Sequence, residues 1–161
     1  MKHTAVGGVC KQITLLLYTL LWVESSFQII TSLSNSGANT VSNVRLKFNI
    51  GLNIREKDLI EGIVLFLKSY STKLEDPSVV TITKNYYISG ETVSLQITKF
   101  SDIVNIIIPF FEKYEIVGIK SLDFFDFKKA ADIIKSKEHL SSEGFNEIFK
   151  LKSGMNRNRE W

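Results

Sequence analysis

Glu24 is the first acid after Met1, and it stands at the end of an apolar run. The stretch is LYTLLWVESSFQII, residues 17–30. Three readings fit an acid placed there. It ends a helix. It follows the apolar core of a signal peptide whose positive flank is Lys2. Or it ligates a hard divalent cation through its oxygens. Lys11 and Gln12, directly before the run, count against the leader, and no crisp small-x-small cleavage site follows it. A second set of candidates lies on alternating stretches. Arg45, Lys47 and Asn49 interleave with Val44, Leu46, Phe48 and Ile50. Ser94, Gln96 and Thr98 interleave with Val93, Leu95 and Ile97, and Gln28 and Ser32 alternate within SFQIITSL. Such a strand has one apolar face and one polar face. Gln, Asn and Arg also make bidentate hydrogen bonds to base edges. The plainer reading is a solvated sheet face.

Other chemistries are excluded. Cys10 is the only cysteine, so there is no intramolecular disulfide and no zinc-finger pattern. His3 and His139 are too far apart in sequence for a His-based metal motif. The run 13–23 is too short to span a bilayer. A chain of 161 residues, 44% hydrophobic and 23% charged, builds one domain with a sizeable core. Its net charge of +3 permits a polyanionic partner without requiring one.

The elements that must position these residues follow from periodicity. Residues 1–11 carry no periodic signal. Residues 12–24 read as a helix apolar nearly all round, to be buried or placed in an interface. Strands are expected at 26–33 and 44–52 around a loop at 34–43. A helix follows at 56–68, then a loop at 69–78 marked by Pro77. Strands at 79–88 and 91–98 flank a Ser89–Gly90 turn. A helix begins with Ser101 as its cap and Asp102 in its first turn, and Pro109 perturbs it. Further helices are expected at 122–136, capped by Ser121, and at 142–152, capped by Ser141. The phenylalanines around 110–127 read as core. The fold class is α+β, with two hairpins and helices on the apolar face.

This order, and several segments, resemble the LAGLIDADG homing endonucleases, the intron-encoded type of fungal mitochondria. The resemblance covers 17–159 as a single domain, with 1–16 a poorly defined leading segment. It is carried by TKFSDIVNIIIPFFEKY (98–114), GIKSLDFFDFKKAADIIKSKEHLSSEGFNEI (118–148), KLKSGMNRNR (150–159) and RLKFNIGLNIREKDL (45–59). It implies an αββαββα fold with extra C-terminal helices. Four mainly antiparallel strands then form a saddle-shaped sheet that lies in the DNA major groove.

The resemblance also implies roles. LYTLLWVES falls on the nine-residue family motif, with Glu24 at its metal-binding acid. Mg²⁺ is the implied cofactor, neutralising phosphate charge and activating water. Lys120 falls where the family keeps a cation near the cleaved phosphate. Gln28, Ser32, Arg45, Lys47, Asn49, Lys84, Gln96 and Thr98 are the implied contacts to double-stranded DNA, with Lys84, Asn85 and Tyr86 on the third strand or its bend. Lys150, Lys152, Arg157 and Arg159 are candidate phosphate contacts. One chain supplies one acid, so a second half is implied, as a homodimer or a separate N-terminal repeat. The ending KSGMNRNR points to the C-terminal half of a tandem protein.

The motif also departs from the family. Tyr18, Thr19, Val23 and Ser25 replace its small residues, and Trp22 replaces its first acid. Bulk inserted into a packed interface costs roughly 1–3 kcal/mol per site. The expected activity is therefore phosphodiester hydrolysis in DNA, with an inactive nucleic-acid-binding remnant or a splicing maturase as the alternative. A third reading takes 1–23 as the leader of a secreted or membrane-attached protein. Mitochondrial location follows from the resemblance alone, since 1–16 lack a transit-like pattern.

Overall fold

The computed structural model describes residues 24–36, 39–71 and 86–156. The helix expected at 12–24 lies outside this set except for Glu24, which sits in a turn. Lys84, Asn85, Arg157 and Arg159 also lie outside it. Two long strands come first, β1 (Ser25–Ser36) and β2 (Asn39–Asn53). The loop expected at 34–43 is therefore largely strand. The Ser- and Asn-rich composition misled, because pairing between long strands overrides the weak preferences of polar residues. A 3₁₀ turn, Ile54–Glu56, leads into helix α1 (Lys57–Ser71). Next come β3 (Tyr86–Ser89) and β4 (Thr92–Ile97). The strands form one sheet in the order β1-β2-β4-β3.

The chain forms two compact units. Among the described residues the first takes 24–26, 49–71 and 86–97. Its core joins Ile50 and Leu52 of β2, Val93, Leu95 and Ile97 of β4, and Ile60, Ile63, Val64 and Leu67 of α1. Those four helix positions recur at i, i+3, i+4 and i+7, a single stripe. β3 and β4 are antiparallel, with Ser89 opposite Thr92 and Tyr87 opposite Ser94. The two-residue loop between them is Gly90–Glu91. Gly90 takes φ 58°, which glycine adopts without steric cost and which primed hairpin turns require.

The second unit takes 27–36, 39–48 and 98–156 among the described residues. Phe27 is its hub. Its ring lies 5.2–5.5 Å from those of Phe48, Phe111, Phe124 and Phe127. The helical stretch after β4 has three parts: α2 (Phe100–Asp102), a π turn (Ile103–Ile107) and α3 (Ile108–Lys113). Pro109 explains the π turn, because its ring nitrogen cannot donate to the carbonyl four residues back. Ser101 does not cap this helix. Lys99 occupies the N-cap position, and Ser101 Oγ is buried without a hydrogen-bond partner.

Helices α4 (Ile119–Lys135) and α5 (Ser142–Ser153) complete the unit and pack together. Ser121 lies inside α4 and donates to the Gly118 carbonyl at 2.6 Å, so Gly118 takes the cap position expected for Ser121. Ser141 does cap α5: its hydroxyl accepts from the Gly144 N–H at 3.0 Å. A Cβ at Gly144 would stand 2.1 Å from the Glu138 carbonyl oxygen, so only glycine fits there. Phe110, Phe111 and Phe127 are core, as expected; Phe125 is not, at 55% exposed.

Candidate nucleic-acid interface

In the second unit, alternation along β1 and β2 sorts side chains onto two faces. Phe27, Ile29, Leu46 and Phe48 are buried. Gln28, Ser32, Arg45 and Lys47 take the intervening positions of these neighbouring strands. Ser32 and Arg45 are exposed, and Gln28 and Lys47 are half-buried. The structure thus brings four of the candidate contacts to the face opposite the aromatic core. Thr31, on the core side, accepts from Lys152 Nζ at 2.9 Å. Lys152, half-buried, is thus hydrogen-bonded within the protein; Lys150 is exposed.

In the first unit the polar face is built by β2, β4 and β3. Asn49 is half-buried, and its Oδ1 has no hydrogen-bond partner. Ser94 Oγ stands 3.5 Å from where a Cβ on Gly51 would be, so these two positions share the face. Gln96 Nε2 donates to the Tyr87 hydroxyl at 2.7 Å. Tyr86 turns the other way and donates to Glu61 of α1 at 2.7 Å, which raises its pKa above the usual phenol value. Tyr87 is a face residue the sequence reading missed. Phasing the hairpin on Val93, Leu95 and Ile97 would have found it, since Tyr87 opposes Ser94. Thr98 lies beyond the end of β4, exposed, not on a strand.

Glu24 is exposed at the start of β1, and its backbone carbonyl accepts from the Gly51 N–H at 3.3 Å. It lines an open cleft with Gly51, Leu52, Asn53, Glu56, Glu91 and Thr92. Sequence reasoning did not anticipate Glu56 and Glu91 there, because nothing local ties the hairpin turn to β2. Among the described residues, no three His, Cys, Asp or Glu side chains come together as a metal-holding group. Glu24 has the exposed oxygen donor that a hard cation takes, but it offers one ligand only. Lys120 stands half-buried in the first turn of α4, where its charge adds to the partial positive charge of the helix N-terminus.

Comparisons with known proteins agree with this architecture. The family model described as LAGLIDADG endonuclease matches residues 23–131. Probable intron-encoded endonuclease 2 of Neurospora crassa is 34% identical over 113 residues, which is 70% of this chain and 22% of that protein. Probable intron-encoded endonuclease 3 of the same organism is 37% identical over 106 residues, 65% of this chain and 17% of that protein. The crystal structure of the LAGLIDADG meganuclease I-CpaMI bound to uncleaved DNA is similar over 90% of this chain and 44% of that one, at 43% identity and a TM-score of 0.72. That of I-SmaMI bound to uncleavable DNA is similar over 91% and 45%, at 31% identity and a TM-score of 0.76. The chain thus spans under half the length of these solved relatives. With its strand order, its polar strand faces and a family match over most of its described residues, the chain belongs to the LAGLIDADG endonuclease family.

Proposed function

We propose that this chain is one half of an intron-encoded, site-specific DNA endonuclease of mitochondria. The observation that carries the reading is the face of β1 and β2 opposite the aromatic core. It presents an amide, a hydroxyl and two cations, and no acid, at Gln28, Ser32, Arg45 and Lys47. A two-stranded ribbon of that width fits the major groove. Arg45 and Gln28 read base edges, and Lys47 adds attraction to phosphate. In the first unit Asn49, Gln96 and Tyr87 extend the same chemistry.

Glu24 would hold Mg²⁺ and Lys120 would offset charge building on the cleaved phosphate. The bound metal supplies Lewis acidity and an activated water for phosphodiester hydrolysis. Because this chain offers one such acid, a second half brings the other. The I-CpaMI and I-SmaMI chains are more than twice the matched length, which supports that reading.

A binding-only remnant or a splicing maturase is the second reading. Trp22, Val23 and Ser25 favour it, because Trp22 stands where the family motif has its first acid, Val23 and Ser25 stand where it has smaller residues, and added bulk separates paired helices. Cleavage of exon-junction DNA by wild type and by Glu24→Gln in Mg²⁺ separates the two. Loss of cutting with binding kept in Glu24→Gln supports the enzyme. DNA binding by wild type with no cutting supports the remnant, and rescue by small residues at 18, 19 and 23 would locate the defect in packing. Wild type that ignores DNA refutes both.

A further inference from the structure

In the first unit β2 alternates Asn49, Gly51 and Asn53 with the buried Ile50 and Leu52. Among the described residues Gly51 is the one glycine inside a strand. Glycine weakens a strand, through lost chain entropy and a missing side chain. The fold does not require it here. Gly51 does not take the positive φ seen at Gly90 and Gly118. A Cβ at Gly51 would stand 3.5 Å from Ser94 Oγ and 4.0 Å from Thr92 Cγ2, both ordinary contacts. Alanine therefore fits the protein. A strand glycine that the fold can spare marks a place where something else approaches the backbone closely.

The surroundings name what approaches. Gly51 lines the open cleft beside Glu24, and its N–H donates to the Glu24 carbonyl at 3.3 Å. Ser94, the small neighbour on β4, is only 7% exposed, so the sheet backbone is thinly covered at this point. Asn53, next along the same face, turns its side-chain oxygen to the Arg55 N–H at 3.1 Å. We infer that Gly51 is a seat for the cleaved DNA strand, its bare backbone letting the sugar-phosphate chain settle against the sheet beside Glu24. The inference rests on the reading of Glu24 as the acid at the cleaved phosphate. The hydrogen bond between the two residues puts Gly51 next to that acid, so a strand within reach of Glu24 passes over residue 51. A methyl or larger group there lifts the strand away. A displacement of about 1 Å at a reacting centre costs on the order of 100-fold in rate. Stability and function are therefore opposed at this one position.

Gly51→Ala and Gly51→Val test this, with Gly62→Ala as the control. Gly62 lies in α1, where a Cβ would meet nothing within 4 Å, and it does not line the cleft. Each full-length variant is compared with wild type for its urea midpoint, its gel-shift affinity for exon-junction DNA with divalent metal chelated, and its cleavage rate in Mg²⁺. All three variants should unfold at or above the wild-type midpoint. Gly51→Ala should bind about tenfold more weakly, the scale of forcing a methyl into a close-packed contact. Gly51→Val should bind more weakly still, and Gly62→Ala as wild type does. Where wild type cuts, Gly51→Ala should cut roughly 100-fold more slowly. Folded Gly51 variants that bind as tightly as wild type would overturn the seat while leaving the half-enzyme reading standing. A lower urea midpoint for Gly51→Ala would overturn it as well, by showing that the fold itself needs the glycine. Undiminished cutting by Glu24→Gln would remove the reading of Glu24 beneath it, and a wild type that binds no DNA would sink the half-enzyme reading instead.

Discussion

The side-chain amide of Asn156 donates to the backbone carbonyl of Phe27 at 3.0 Å, joining residues 129 positions apart. The Asn156 backbone N–H also donates to Asp123 Oδ1 at 3.0 Å. A residue just after α5 thus fastens β1 and α4, and buried Met155 sits beside it. The segment GMN, at 154–156, therefore has a structural role, tying the last helix to the strand that carries Gln28.

Asn156→Ala is expected to destabilise the second unit by about 1–3 kcal/mol, the cost of leaving a buried partner unsatisfied. Part of that cost is conformational, because Asn156 holds φ 57° and alanine resists that region. Asn156→Gly keeps the backbone geometry and removes only the amide hydrogen bond, so it should fall between Ala and wild type. Urea denaturation of the three proteins checks the order. Equal midpoints would show that the clasp contributes nothing.

Asp102 is fully buried, and neither of its carboxylate oxygens has a hydrogen-bond partner. Burial pushes its pKa above the ordinary aspartate value, with Lys99 opposing the rise. The folded state therefore holds this proton more tightly than the unfolded chain. The associated stability is full below the unfolded pKa and is lost as pH rises through the folded one. Asp102→Asn removes that titration. Urea stability followed upward from pH 4 should decline less in Asp102→Asn than in wild type, and parallel curves would refute the assignment.

Arg45→Ala and Lys47→Ala test the polar strand face against salt. Removing a cation that meets phosphate should shallow the slope of log affinity against log salt by about one. Removing a side chain that reads a base should instead cost roughly 1–3 kcal/mol at one position of the site and relax preference there. Tyr87→Phe should behave as the second kind, because it deletes the hydroxyl that receives Gln96 without changing charge. Binding titrations over a salt series with single-base variants of the site distinguish these outcomes. Unchanged binding in all three variants would show this face to be merely solvated.

Strict alternation made β2 and β4 readable, and the Ser141 cap with Glu143 in the first turn made α5 readable. Ser34 to Asn43 hid strand behind loop-like composition, since pairing rather than propensity fixes those residues. Ser101 and Ser121 misled for a common reason. A serine is a good cap only where the chain enters the helix at that residue, and Lys99 and Gly118 are where it enters. At the candidate interface, Arg45 and Lys47 were legible because their neighbours alternate so cleanly. Tyr87, Glu56 and Glu91 were not, because strand register and hairpin placement bring them in from a distance. Lys152 was read as a tail cation, and only the fold shows Thr31 beneath it.

In the hairpin Tyr86–Ile97, adjacent tyrosines do opposite jobs: one is anchored to Glu61, the other faces outward beside Gln96. The Gly90–Glu91 loop sets which is which, since a slip of one residue moves every side chain of a strand to the other face. A one-residue slip of β3 against β4 would therefore exchange the two tyrosines and invert the whole strand at once. The phase of the strand alone thus decides which of its side chains reach the surface, with no substitution on the surface itself.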